Sequence, residues 1–457
     1  MGLTRDIARF VAGMRFEHVP PPAVPTVCTG FTDCIGVLLA GLAEPVTPIV
    51  ARAAGLPFDI GAIAAFAGGV AVAPDLALIY GTAAHALDFD DTALSGHPSA
   101  VLVPAILAEA GDVEADGRVM IAAYVCGYEV WAELIRRDSD PHHQKGWHPS
   151  AVFGPIAAAA ASAVLRRLDA AQASHALGIA ASLAGGVVAN FGTMTKPFHV
   201  GRAAQSGLIA TRLAGQGMTS GEDALEHALG FLQAVSPRGA VDTTSGVQLG
   251  VAWRITETGV NVKLYPMCYA VHRALDAMID LARAGTLAAG HIASVEVELG
   301  ANQAAILRNH RPQTSLDAKF SLEFAMAAGA IAGRCGPTEL SDAFVQRADV
   351  QDFFGKVSAR TIIERDSEEP ALAPFDRVRL VLRDGRALAS EPVRHPRGHF
   401  RRPVERDQLW QKFHDCALGA VRPDRARHLF EALQDLPRLS SVRDLARLDR
   451  RAAGTVG

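Results

Sequence analysis

Aromatic side chains make up only 6% of this 457-residue chain, with five tyrosines and four tryptophans. That scarcity argues against the aromatic-lined cavity that a prenyl substrate needs. Cysteine is also sparse. The six cysteines, at 28, 34, 126, 268, 335 and 416, form no CxxC and no close Cys/His pair with metal-ligand spacing. Buried free thiols in a reducing compartment are expected. No charge of one sign dominates, because the net charge is −4. A nucleic-acid partner is therefore not expected. The Arg-rich stretch 422–451 has acids mixed in and reads as a solvated helix face. Long apolar runs are missing too. Residues 154–165 form a run too short and too Ala-rich to span a bilayer, so no membrane association is expected. Residues 1–20 are amphipathic and lack the apolar core and cleavage site of a secretion signal, which makes a cytoplasmic location the expectation. There is no HExxH, EF-hand loop, P-loop, strand-opening GxGxxG or GxSxG elbow.

What is present is an ordered globular chain, with 49% hydrophobic and 20% charged residues. Its length points to two domains. Residues 1–258 read as mostly helix, with periodic apolar segments at 27–42, 75–87, 99–110, 119–135, 151–168, 170–183, 201–213 and 224–229. From 259 the pattern changes. HIASVEVEL (291–299), 360–364 and RVRLVL (377–382) alternate as strands do, and Asp384-Gly385 makes a hairpin turn before 386–390. Residues 318–331 read as a buried helix between them. The helical pattern returns in the last segment. The expected fold is mainly α: a helical domain (1–258 and 394–457) with a smaller inserted α+β domain (259–393).

Four segments carry candidate chemistry. GTAAHALDFDDTALSGHPSA (81–100) crowds Asp88, Asp90, Asp91, Thr92, His85 and His97 at one junction between helices. Like charges this close need a partner or a shifted pKa. KGWHPSAVFG (145–154) repeats the His-Pro-Ser start at His148. Two imidazoles presented from two helix starts suit an anion nearby, although His148 alone could simply cap or pack. GTMTKPFHVGRAA (192–204) places Lys196, His199 and Arg202 within about one turn of a helix starting near 198. Three cationic or near-cationic groups with little acid nearby suit a bound anion. NVKLYPMCYAVHRAL (261–275) contributes Lys263 and His272, where a surface lysine beside a packed histidine is the plainer alternative.

The set Asp88, Thr92, His97, His148, Lys196 and Lys263 combines cations that grip carboxylates with groups that titrate near neutrality. It suits proton removal or delivery beside a carboxylate, with the developing charge held by fixed cations. Water elimination, decarboxylation and epimerisation by two bases are all permitted.

HALDFDDT, GHPS, GWHPS, MTKPFHVGRAA and K-x-Y-P, in this order from about residue 25 to 400, resemble the MmgE/PrpD family. Its members dehydrate 2-methylcitrate, decarboxylate cis-aconitate or epimerise iminodisuccinate. The resemblance implies a helical domain plus a lid domain, a homodimer, an active site between the domains, and no metal or organic cofactor. It implies Asp88, His97, His148, Lys196 and Lys263 as catalytic residues. Thr92, His199, Arg202 and His272 are the expected substrate contacts. Two departures stand out from the decarboxylase pattern: a loop from Thr92 to His97 one residue shorter, and Phe324 where that pattern has Tyr. The expected function is a cofactor-independent lyase on a small di- or tricarboxylate. Epimerisation of an iminodisuccinate-like acid is the alternative. An inactive binding homologue, or a terpene-cyclase-like enzyme using the DxDD string at 88–91, ranks below both.

Overall fold

The computed structural model describes residues 2–447 apart from 65, 67–70, 139, 285–286, 368 and 370–371. The chain divides into two compact units, Met1–Val260 with Glu405–Gly457, and Asn261–Val404.

The first unit is helical. Its main helices before residue 260 are α1 (Ala23–Gly41), α2 (Ala73–Ala86), α3 (Pro98–Val113), α4 (Gly117–Arg136), α5 (Pro149–Arg166), α6 (Ala170–Ser182) and α7 (Thr195–Gly215). Local sequence sets their ends. Proline opens α3 and α5, where a missing N–H costs nothing. Asp116 caps α4 by accepting from Val119 N at 2.8 Å, and Asp169 with Gln172 makes a capping box on α6. Small residues then let the helices approach closely. A Cβ on Gly201 of α7 would lie 2.2 Å from the Leu78 carbonyl of α2, and one on Gly81 would lie 2.7 Å from Gly201 Cα. The α2–α7 crossing therefore depends on glycine on both faces.

Three expectations change here. Residues 224–229 form turns, and a short helix begins only at Phe231–Val235. Helix α7 begins at Thr195, not near 198, because Pro197 falls within its first turn, where a proline is tolerated. Helices α1 and α5 are long and apolar enough to cross a membrane, so the judgement that the 154–165 run is too short does not hold for the whole helix. Their apolar windows are nevertheless 72% and 94% buried within the protein.

The second unit is α+β. Helix α8 (His272–Ala284) is followed by β1 (Ile292–Gly300), α9 (Leu322–Ala332), β2 (Val357–Ile362), β3 (Arg377–Leu382) and β4 (Ala387–Ala389). The sheet order is β2-β1-β3-β4. β1 runs parallel to β2 and antiparallel to β3, and β3–β4 is a hairpin. Its turn carries Gly385 at φ +87. Ile292, Val295, Val297 and Leu299 of β1 pack with Val378 and Leu380 of β3 and with α8 and α9 in one core. The second strand lies at 357–362 and not 360–364. It is mostly exposed, so its sequence carries no buried alternation to mark it. The helix expected over 318–331 is broken at Lys319–Ser321. Ser321 caps α9 by accepting from Phe324 N.

Residues 394–404, expected with the helical domain, belong to this second unit. Val262 N donates to Gly398 O at 2.8 Å, Phe400 N donates to Asn261 Oδ1 at 2.9 Å, and Arg397 pairs with Asp276. The chain then returns to the first unit with α10 (Arg406–Ala417) and α11 (Pro423–Gln434).

Candidate active site

The loop between α2 and α3 carries the acidic string. Asp88 sits in the left-handed region at φ +52. A two-residue turn follows, with Leu94 and Ser95 both at positive φ and Ala93 bridging Gly96. This turn delivers His97 to the N-cap of α3, and His148 holds the N-cap of α5. The two His-Pro-Ser segments meet. Ser150 Oγ, from the second, accepts from the backbone N–H of His97 at 3.1 Å. Helix α7, seated on α2 by Gly81 and Gly201, brings Lys196 and His199 to the same place.

The result is a buried cluster of charged and imidazole groups. Asp90 stands between two imidazoles. His85 Nδ1 lies 2.8 Å from its Oδ1, and His97 Nδ1 lies 2.8 Å from its Oδ2. His97 Nδ1 also lies 3.1 Å from the Asp91 carbonyl. The His85 and His97 rings are 4.3 Å apart, and His148 lies 6.4 Å from His97. His148 Nδ1 meets His199 Nδ1 at 3.3 Å. Lys196 Nζ bonds Asp88 Oδ2 at 2.9 Å, and Asp88 Oδ1 lies 3.9 Å from His97 Nε2. Phe191 forms a wall, with Lys196 over its ring at 5.2 Å and His148 edge-on at 4.9 Å.

Burial sets the charges. Burial alone would raise the Asp90 pKa, but His85 and His97 together hold it well below the usual carboxylate range. His85 is 1% exposed, and burial pushes its pKa down to about 3, against the pull of Asp90. Burial likewise lowers His148 strongly, helped by Lys196 and the neighbouring imidazoles. His199 is lowered by burial and by Lys196. Neutral imidazoles with one nitrogen as acceptor are the form suited to taking a proton. Because Asp90 accepts from His97 Nδ1–H, the other nitrogen of His97, Nε2, is left on the side of Asp88.

Five of the residues selected from sequence thus come together: Asp88, His97, His148, Lys196 and His199. Thr92 is half-buried on the same loop. Arg202 does not join them. It points along the other side of α7, where it donates to Gln205 Oε1 at 2.6 Å, and Gln205 donates to Asp75. The expectation of little acid near Lys196 is also corrected, since the fold supplies Asp88. Lys263 and His272 belong to the second unit. Lys263 is buried beside Tyr265, whose hydroxyl donates to Asp276 Oδ1 at 2.5 Å. His272 is fully buried between the Tyr265 and Tyr269 rings. Phe324 is packed in the apolar core of that unit, edge-on to Phe344 at 6.2 Å.

Sequence reasoning passed over the roles of His85, Asp90, Ser150 and Phe191. His85 and Asp90 lay inside the crowded motif, but nothing in the string told which acid faces which imidazole. Phe191 stood five residues before Lys196 with no signal of its own.

Two groups among the described residues have metal-ligand composition. In the first, His85, Asp88, Asp90 and His97, both Asp90 oxygens face imidazole nitrogens and Lys196 already supplies a cation to Asp88, so a metal would have to displace these partners. In the second, Glu369, His395 and His399, Nδ1 of His399 accepts from the Arg401 N–H at 3.0 Å. The proton of a neutral His399 is then on Nε2, which faces Glu369 at 3.5 Å and is not open for a metal. Within the DxDD string the two neighbouring acids shift in opposite directions: the imidazoles hold Asp90 below its ordinary range, and burial raises Asp91.

The chain thus has a helical unit that holds a buried cluster of His, Asp and Lys, and an α+β unit, and comparison with known proteins gives it a family. The MmgE/PrpD N-terminal domain matches residues 5–244 and the MmgE/PrpD C-terminal domain matches 265–436. The chain belongs to the MmgE/PrpD family. Among its relatives is a cis-aconitate decarboxylase of Mus musculus, 26% identical over 81% of this chain and 77% of the relative. A cis-aconitate decarboxylase of Homo sapiens is 26% identical over 81% of this chain and 78% of its own. One of Aspergillus terreus is 25% identical over 98% of this chain and 96% of its own.

Proposed function

We propose that this protein is a cofactor-independent lyase that removes a small neutral group from a di- or tricarboxylate. The observation that carries this reading is the Asp90–His97 pair set beside the Lys196–Asp88 pair. Nδ1 of His97 is held by Asp90, while Nε2 lies 3.9 Å from the Asp88 carboxylate that pairs with Lys196. In this reading His97 Nε2 takes a proton from substrate or returns one to it. The Lys196 ammonium binds the carboxylate on which negative charge develops. Asp88 fixes that ammonium, and His148 is the second proton-exchanging group. For dehydration, a proton leaves carbon to an imidazole and the hydroxyl departs as water with a proton from the other. For decarboxylation, carbon dioxide leaves, its electron pair passes into the carboxylate-stabilised carbanion, and an imidazole protonates that carbon.

The relatives are named as cis-aconitate decarboxylases, so cis-aconitate is the first substrate to test, with 2-methylcitrate and citrate beside it. Purified protein is incubated with each acid and the products are weighed by mass spectrometry. Loss of carbon dioxide or of water supports the reading. No conversion of any of them sinks it.

A second reading rests on the paired imidazoles. Two exchanging bases, His97 and His148, suit epimerisation of an iminodisuccinate-like acid. Turnover in heavy water separates the two readings, because deuterium uptake without a loss of mass from elimination indicates epimerisation.

A further inference from the structure

Beneath the acidic loop lies a second buried charge cluster that the proposed chemistry does not use. Lys412 of α10 is 7% exposed, and its Nζ lies 2.5 Å from Asp33 Oδ1 of α1. The same ammonium donates to the Phe89 carbonyl at 2.8 Å and stands 4.0 Å over the Phe89 ring. Phe89 separates Asp88, with its left-handed backbone, from Asp90. Its ring packs with Val37 and Cys416, so both α1 and α10 grip it. The backbone N–H of Asp91 in turn faces the Asp33 carboxylate, and Ser99 faces Asp91. Ser99 Oγ meets Tyr124 OH at 2.7 Å.

A fully buried ammonium is costly to desolvate, and an apolar residue of similar size would fill the space at least as stably. Here three backbone and side-chain groups of one four-residue string are tied to charges on helices far away in sequence. Burial raises the pKa of both Asp33 and Asp91, with Lys412 opposing the rise.

We propose that Lys412 is a positioning residue for the Asp90–His97 pair, acting through the Phe89 carbonyl to fix the acidic loop. The inference rests on reading the imidazole cluster as the reacting centre. It predicts a chain from α10 to the reacting nitrogen: Lys412 to Phe89, Phe89 to Asp90, Asp90 to His97 Nδ1.

The test uses the full chain and two variants, K412M and D33N/K412M. The double variant removes both buried charges together and serves if K412M alone does not fold. The substrate is whichever of cis-aconitate, 2-methylcitrate and citrate the wild type converts. Misplacing the imidazole should lower kcat about 100-fold. KM should stay within about threefold, because Lys412 touches no substrate. D33N/K412M should keep a Tm near wild type and still show the kcat loss. In parallel, the His97 Nδ1–H resonance, assigned with H97Q in 15N-histidine-labelled protein, should shift or broaden in both variants. A wild-type kcat and resonance in folded D33N/K412M would overturn the proposal, as would a KM rise at unchanged kcat. If the wild type converts none of the three acids, the lyase reading fails by itself, and the resonance still decides the role of Lys412.

Discussion

Asp90 Oδ2 lies 2.8 Å from His97 Nδ1, although the two residues sit on opposite sides of a two-residue left-handed turn. This pairing leaves Nε2 as the His97 nitrogen that Asp90 does not hold, the one proposed to exchange protons with substrate. It also predicts what its loss does. D90N presents an amide that cannot select the same tautomer, so kcat should fall on the order of 1000-fold with little change in fold. Steady-state kinetics with circular dichroism as a folding control checks this. Activity within a few-fold of wild type would remove Asp90 from the mechanism.

Lys196 is 5% exposed and bonded to Asp88 at 2.9 Å. K196M takes away the cation proposed to bind the developing charge and leaves Asp88 without that partner. Removing such an electrostatic donor typically costs on the order of 100- to 1000-fold in kcat. A thermal shift with cis-aconitate should also shrink. An undiminished shift with undiminished turnover would show that the anion is held elsewhere.

Acid stability follows from His85. Its pKa is about 3 in the fold, below the ordinary 6.5. Between those values the unfolded chain binds the extra proton, so stability falls as pH drops from 6.5 toward 3. Asp90, held below its ordinary 3.8, adds stability that is likewise lost on acidification. H85Q should therefore flatten the Tm-against-pH curve across that window. A parallel curve would contradict the buried neutral imidazole.

Asp91 has the opposite sign. Burial, then the Asp33 charge, raises its pKa well above the ordinary 3.8. Above 3.8 the unfolded chain has lost a proton that the fold retains, so stability declines as pH rises toward the folded-state pKa. D91N keeps the shape and removes that dependence. Its Tm relative to wild type should rise as pH increases above 3.8. A relative Tm that falls over that range would mean that the carboxylate form is what the fold needs.

The α2–α7 crossing makes a separate stability prediction. G201A places a Cβ 2.2 Å from the Leu78 carbonyl, a backbone atom that cannot move aside cheaply. A loss of about 3 kcal/mol is expected from such overpacking. Urea unfolding measures it, and a native midpoint would show that the helices can separate freely.

Much of the fold was legible in the chain itself. Apolar periodicity, prolines before α3 and α5, and Asp116 and Asp169 at caps mark helices whose signals are local. The alternation in β1 and β3 is just as visible, since one face of each is buried. Strand β2 is exposed along most of its length, and its parallel pairing to β1 joins residues about 60 apart, for which no local pattern exists. The site was legible in its residue types but not in its pairings. Arg202 was grouped with Lys196 by helical spacing, yet it bonds Gln205 on its own helix, which in turn donates to Asp75 of α2.

The sequence by itself determined the helical and α+β segments, the two His-Pro-Ser helix starts and the crowded acidic string, because each depends on neighbours within a turn or two. Only the tertiary structure decided that Asp90 faces two imidazoles, that Asp88 meets Lys196, and that Lys412 reaches Phe89 from 323 residues away. Those pairings follow from helix crossings and buried charge compensation, which act through space and leave no period in the chain.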